Sequence, residues 1–197
     1  MDDQHDSQQP AARGGKVLDA LTRAERQTVT RPAPKSAKAQ MKFLLTRAKG
    51  STKALAERLG VSRRTVQRYR AGQLKTPQKR LQAALVEETA SEWQPQVRAQ
   101  ARERAATFGG MVVEVYAYFG FACTGSSDDG RERFINTPIS PVYAKEILRL
   151  QEAGATEEDL PPVVAEAITE SYFTEWGTRA DGLRADFTHV RSIDFKF

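Results

Sequence analysis

Apolar residues follow a helical period through the first half of this chain and an alternating one through much of the second. Residues 16–27 (KVLDALTRAERQ) predict a short helix, and Pro32 and Pro34 interrupt the chain after it. Met41, Leu44, Leu45 and Ala48 recur at helical spacing, so a helix over 37–48 with a buried stripe is expected, capped by Ser36. Gly50 and Ser51 end it. TKALAERL at 52–59 and RRTVQRYR at 63–70 read as two short helices around the turn Gly60-Val61, with Ser62 as N-cap of the second and Gly72 as its stop. A longer helix is expected from Pro77 to about Ser91, and another over 96–107 after the Trp93-Gln94-Pro95 interruption.

The pattern changes at Gly109-Gly110. MVVEVYAYFGFA is rich in β-branched and aromatic residues and predicts a strand, followed by the loop TGSSDDG at 124–130 and a second strand, RERFINTPI. Ser140-Pro141 opens a helix to about residue 153, since proline suits the first helical turn. Thr156 opens another that is expected to reach Trp176 despite Pro161-Pro162. Phe187, Val190, Ile193 and Phe195 place one or two strands at the end. The fold class expected is α+β: an all-α domain with a helix-turn-helix, then a small α+β domain of a short antiparallel sheet and two helices. The boundaries expected are a disordered tail over 1–15, a helical domain over 16–108 and an acidic domain over 109–197.

Composition sharpens this picture through charge. The net charge of +5 over 197 residues conceals a division. Residues 16–110 hold 21 Lys and Arg against 7 Asp and Glu, whereas residues 111–197 hold 8 against 15. A basic half suits a phosphate backbone, where each neutralised phosphate releases counterions; an acidic half is repelled by it and suits a basic protein partner. No apolar run is long enough to span a membrane. The polar, acidic beginning lacks the apolar core of a secretory signal, so a cytoplasmic, nucleoid-associated location is expected. The single Cys123 makes neither an internal disulfide nor, alone, a zinc site, and is expected to be a buried small hydrophobe. No metal site is expected.

The segment 52–70 carries the clearest chemistry. A helix-turn-helix needs a small residue where its helices cross, which Ala56 supplies, and a residue tolerant of positive φ in the turn, which Gly60 supplies. Leu55, Leu59, Val61, Val66 and Tyr69 then form the seam. Arg63, Arg64, Gln67 and Arg68 fall on the other face of the second helix and are the residue types that read base edges in the major groove. Thr52, Lys53, Ser62, Arg70 and Lys75 are expected to hold phosphates, with Lys79 and Arg80 extending the basic surface.

Several blocks, TRPAPKSAKAQMKFLL, KGSTKALAERLGVSRRTVQRY, EWQPQVRAQARERAATFGG, the GSSDD loop and LQEAGATEEDL, appear in an order that resembles the telomere-protecting terminal proteins of linear actinobacterial replicons, such as those of Streptomyces. The resemblance covers about residues 28–197, and WQPQVRA followed by RAATFGG is its most specific part. It implies a protein joined covalently to the 5′ ends of linear DNA. A side-chain hydroxyl receives a deoxynucleotide from a DNA polymerase, and the 3′-OH of that nucleotide primes end patching. The implied partners are telomeric DNA (a single-stranded 3′ overhang, duplex or both), a telomere-associated DNA-binding protein and the polymerase. No cofactor is bound permanently; the polymerase brings magnesium. The chain is then an acceptor, not an enzyme. In the family the acceptor is a threonine before paired aspartates, and the matching position here is Ser127, before Asp128 and Asp129. Serine departs from that pattern and leaves Ser126 and Thr124 as alternatives. Composition alone reads the loop as an ordinary hairpin connection.

Other residues carry blander readings. Tyr116 and Tyr118 share a strand face, which allows a nucleophile of a DNA-cutting enzyme but is the usual placement of packing tyrosines. Glu114 and Glu132 are expected to be solvated, His5 and His189 isolated, and Trp93 and Trp176 to anchor helices. The competing function is a helix-turn-helix transcriptional regulator with an acidic effector domain, binding an operator as a dimer.

Overall fold

A computed structural model describes residues 17–122, 130–173 and 184–197, and among them the chain is α+β, with eight α-helices and three strands. It divides into two compact units. One is Val29–Arg98; the other joins the helix before it to Ala99–Phe197.

The Val29–Arg98 unit is built from α2 (Ala37–Arg47), α3 (Thr52–Leu59), α4 (Arg63–Arg70), α5 (Lys79–Glu92) and the first turn of α6 (Pro95–Arg104). Side-chain caps set the first three starts: Ser36, Ser51 and Ser62 accept from the backbone N–H groups of Ala39, Ala54 and Thr65. Gly60 ends α3 at φ +63°, a left-handed conformation that glycine adopts without steric cost. The helix expected from Pro77 begins instead at Lys79, with Gln78 at its N-cap. Met41 and Leu44 of α2 pack with Leu55, Ala56 and Leu59 of α3, Val66 and Tyr69 of α4, and Leu81 and Leu85 of α5. Leu45 and Ala48 lie only at the edge of this core. At the α5–α6 joint, Trp93 packs edge-on against Phe43 with ring centroids 5.0 Å apart and donates from Nε1 to the Arg31 carbonyl at 2.9 Å.

In the other unit β1 (Met111–Ala122) lies between β2 (Arg131–Ile139) and β3 (Arg184–Lys196), antiparallel to both. Met111, Val113, Val115, Ala117 and Phe119 alternate inward on β1, and Ile135, Ile139, Ile193 and Phe195 extend the buried face. Covering residues come from α1 (Val17–Gln27), α7 (Pro141–Glu152) and α8 (Leu160–Ile168). Gly110 immediately precedes β1 at φ +67°, and a Cβ there would lie 2.2 Å from the Ile139 carbonyl oxygen.

The helix at 16–27 does not belong to the basic domain: Val17, Ala20, Leu21 and Ala24 of α1 are buried in the sheet unit's core, and Arg23 donates to Asp194 and to the Ile193 carbonyl on β3. The core of the sheet unit therefore draws on three helices, not two. The helix expected from Thr156 starts at Leu160, because the Asp159 carboxylate accepts from the Thr156 N–H and hydroxyl and folds 156–159 into a turn. It passes at Thr169–Phe173 into a π-helical turn, as the helix at 95–104 does at Ala105–Gly109. Trp176 lies outside the described residues.

Candidate nucleic-acid interface

The candidate surface is the outer face of α4. At about 100° per residue, Val66 and Tyr69 point into the core and are buried. Arg70, Arg63, Gln67, Arg64 and Arg68 follow one another around the remaining arc, all exposed. The Tyr69 hydroxyl donates to the Thr76 carbonyl at 3.1 Å, fixing the chain that leaves α4.

Arg63 differs from its neighbours. Its Nε donates to Thr52 Oγ1 at 3.0 Å, and Thr52 is itself buried at the first turn of α3. The sequence placed Thr52 among the phosphate contacts; its side chain instead supports Arg63. Ser62 uses its hydroxyl on the Thr65 N–H and on Thr65 Oγ1, so capping occupies it. Lys53, Arg64, Gln67, Arg68, Arg70 and Lys75 are exposed, and the cations among them have no carboxylate partner among the described residues.

The cations that do have partners lie elsewhere. Arg58 pairs with Glu88 and Glu92, the latter at 2.7 Å, and Arg47 pairs with Glu92 at 2.9 Å. Hydrogen bonds from Arg47 first, then from Arg58, hold the Glu92 carboxyl below its ordinary range. Donating to the Glu92 carboxylate raises the Arg58 guanidinium above its ordinary value, with a smaller contribution from Glu88. Across the whole unit 16 Lys and Arg stand against 4 Asp and Glu.

A groove of about 710 Å³ opens beside α2, lined by Lys38, Lys42, Lys49 and Arg70 together with Met41 and Leu45. Residue-by-residue reading missed it. Lys38 and Lys42 stand one turn apart on α2, and only the packing of α4 on α2 brings Arg70 to the same opening.

Thr124, Ser126, Ser127, Asp128 and Asp129, with Cys123, lie outside the described residues. The strand tyrosines are engaged. Tyr116 donates to Glu132 at 3.0 Å, with Arg191 over its ring at 5.5 Å and paired with the same carboxylate. Tyr118 meets His189 edge-on with centroids 6.4 Å apart. Glu114 accepts from Asn136 and pairs with Lys196, so neither glutamate is merely solvated. Among the described residues no group of three or more His, Cys, Asp or Glu is placed to hold a metal, and no helix is long and apolar enough to cross a membrane. Comparison with known proteins finds no matching family model, no matching curated protein and no matching solved structure.

Proposed function

We propose that the Val29–Arg98 unit is a DNA-binding domain in which α3, the Gly60 turn and α4 form a helix-turn-helix, and that the chain is a terminal protein priming synthesis at the ends of linear DNA. One observation supports the first part above the others: an arc of exposed guanidinium and amide side chains on α4, held on a buried seam and free of carboxylates. Arg64, Gln67 and Arg68 meet base edges in the major groove, with Arg63 beside them oriented by Thr52. Lys53, Arg70 and Lys75 hold the flanking backbone, and Ser62 contributes by capping α4.

The second part rests on the resemblance of the sequence blocks. A hydroxyl in the 124–127 segment, Ser127 by position, attacks the α-phosphorus of a deoxynucleoside triphosphate. An ester P–O bond forms, the bond to pyrophosphate breaks, and the hydroxyl proton passes to solvent or a polymerase carboxylate. Magnesium ions brought by the polymerase stabilise the charge on the attacking and leaving oxygens. The acidic unit is then the surface offered to the polymerase or the telomere-associated protein, and the protein resides on the nucleoid.

Arg64→Ala/Arg68→Ala is expected to abolish sequence-specific retention in a gel shift; unchanged retention refutes the docking. For priming, protein isolated with its DNA and digested with nuclease should retain the mass of a nucleotide. Transfer of labelled deoxynucleotide by the polymerase should be lost in Ser127→Ala. Specific duplex binding without any nucleotide adduct would make the chain a transcriptional regulator instead.

A further inference from the structure

The groove beside α2 is a second feature for which base reading by α4 gives no reason. Four cations line it, and none has a carboxylate partner among the described residues. Like charges around one opening repel each other, and a surface shaped for solubility alone intersperses the signs. Lys38 and Lys42 are one α2 turn apart, roughly 6 Å along the axis. Arg70 is the last residue of α4, so the opening continues the exposed arc of that helix.

Lys49 adds an independent observation. It sits at φ +52°, directly before Gly50 at φ +80°. Left-handed backbone disfavours a side chain with a Cβ, and glycine or asparagine fits there at less cost. A lysine kept in that conformation, at the rim of a cationic groove, points to a use for its ammonium.

We propose that this groove binds the sugar–phosphate backbone of duplex DNA flanking the bases met by α4. It rests on the reading of α4 given above, extending the backbone contact of Arg70 to the lysines of α2 and its C-terminal turn. A single strand fits less well, because no aromatic side chain lines the groove to stack an unpaired base. The half-buried Leu45 beside these cations suits the sugar edge between phosphates.

The test uses the full chain, a labelled 30-base-pair duplex and a single strand of the same length, titrated from about 50 to 300 mM salt. Each lost phosphate contact lowers the slope of log affinity against log salt by about 0.9. Lys42→Gln/Lys49→Asn is therefore expected to flatten the duplex slope by about 2. Duplex binding should weaken on the order of a hundredfold at the lowest salt, equally for cognate and unrelated sequences. Asparagine at 49 relieves the left-handed lysine, so the melting temperature should hold or rise, which separates lost binding from lost folding. An unchanged slope overturns the proposal, as does weakening confined to the single strand. Arg64→Ala/Arg68→Ala is run alongside. If it leaves specific binding intact while the groove variant flattens the slope, the groove stands and the α4 reading falls. A wild-type chain with no salt-dependent duplex binding overturns both.

Discussion

Gly60 and Gly110 both have positive φ, yet alanine should cost very different amounts at the two sites. At Gly60 an added Cβ meets nothing closer than an Arg80 guanidinium nitrogen at 4.0 Å, so the penalty is conformational alone. Left-handed backbone costs a non-glycine residue about 1–2 kcal/mol, and the stiffer unfolded chain returns roughly 0.5 kcal/mol. A net loss of about 1 kcal/mol follows, or roughly fivefold in the opening equilibrium. At Gly110 the backbone lies at φ +67°, ψ −163°, a region open almost only to glycine, and the new Cβ would sit 2.2 Å from the Ile139 carbonyl oxygen. That oxygen belongs to the backbone and cannot swing aside. Strain of about 1–3 kcal/mol adds to the displacement of the β2 end, for a total of roughly 3 kcal/mol or more. Native-state hydrogen exchange reads each unit through its own amides. Gly60→Ala should lower protection in α3 and α4 about fivefold, and Gly110→Ala should lower it in β1 and β2 at least a hundredfold. Asparagine at 60 tolerates the left-handed region and should fall between glycine and alanine. Equal losses at 60 and 110, or alanine better tolerated than asparagine at 60, would refute this reasoning.

The Glu92 carboxyl is held down by Arg47 and Arg58, so its contribution to stability is present above the ordinary carboxylate range and is lost as pH falls through its depressed value in the folded chain. Urea melts of Glu92→Gln should show a shallower acid decline for Val29–Arg98 than wild type; parallel declines would remove Glu92 as the cause. Burial, aided by Glu166 and Glu170, pushes the Tyr143 hydroxyl up to about 12. The folded chain then keeps a proton that the unfolded chain releases from about pH 10, so stability falls between pH 10 and about 12. Tyr143→Phe should flatten that decline in thermal melts, and an unaltered decline would refute the assignment.

Local signals account for most of what the sequence made readable. The caps Ser36 and Ser62, the glycine that ends α3 and the helical recurrence of Leu55, Leu59 and Val66 act over a few residues, and each stands where the sequence placed it, whereas Ser140 begins α7 without a side-chain cap. What was not legible depends on distant partners. The stripe of α1 announces a buried face but not its neighbour, and the neighbour is β3, more than 160 residues along the chain. On β3, Val190 breaks the odd-numbered alternation of Phe187, Ile193 and Phe195. The register explains it: His189, Val190 and Arg191 lie opposite the single residue Ala117, and His189 takes φ +51°. Such an irregularity lets the two inward-facing runs keep the same face across extra residues. Thr52 shows the same limit at the candidate site, since only the packed helices show that its hydroxyl faces Arg63.

The placement of the few carboxylates bears on function more directly than the total charge does. A unit with 16 cations and 4 anions could scatter its ion pairs anywhere. Here Glu88 and Glu92, both on α5, engage Arg58 and Arg47. Those pairs brace α3 and the end of α2 against α5 while leaving the outer arc of α4 and the α2 groove without a negative charge among the described residues. Surface ion pairs add little stability, typically less than about 1 kcal/mol each. Their arrangement has a larger consequence for the field outside the molecule, because an unneutralised arc keeps its positive potential within a Debye length, about 8 Å at physiological salt. Moving a carboxylate to that arc, as in Gln67→Glu, would leave the buried seam unchanged. It would place a negative charge between Arg63, Arg64 and Arg68, where the proposed DNA surface requires none.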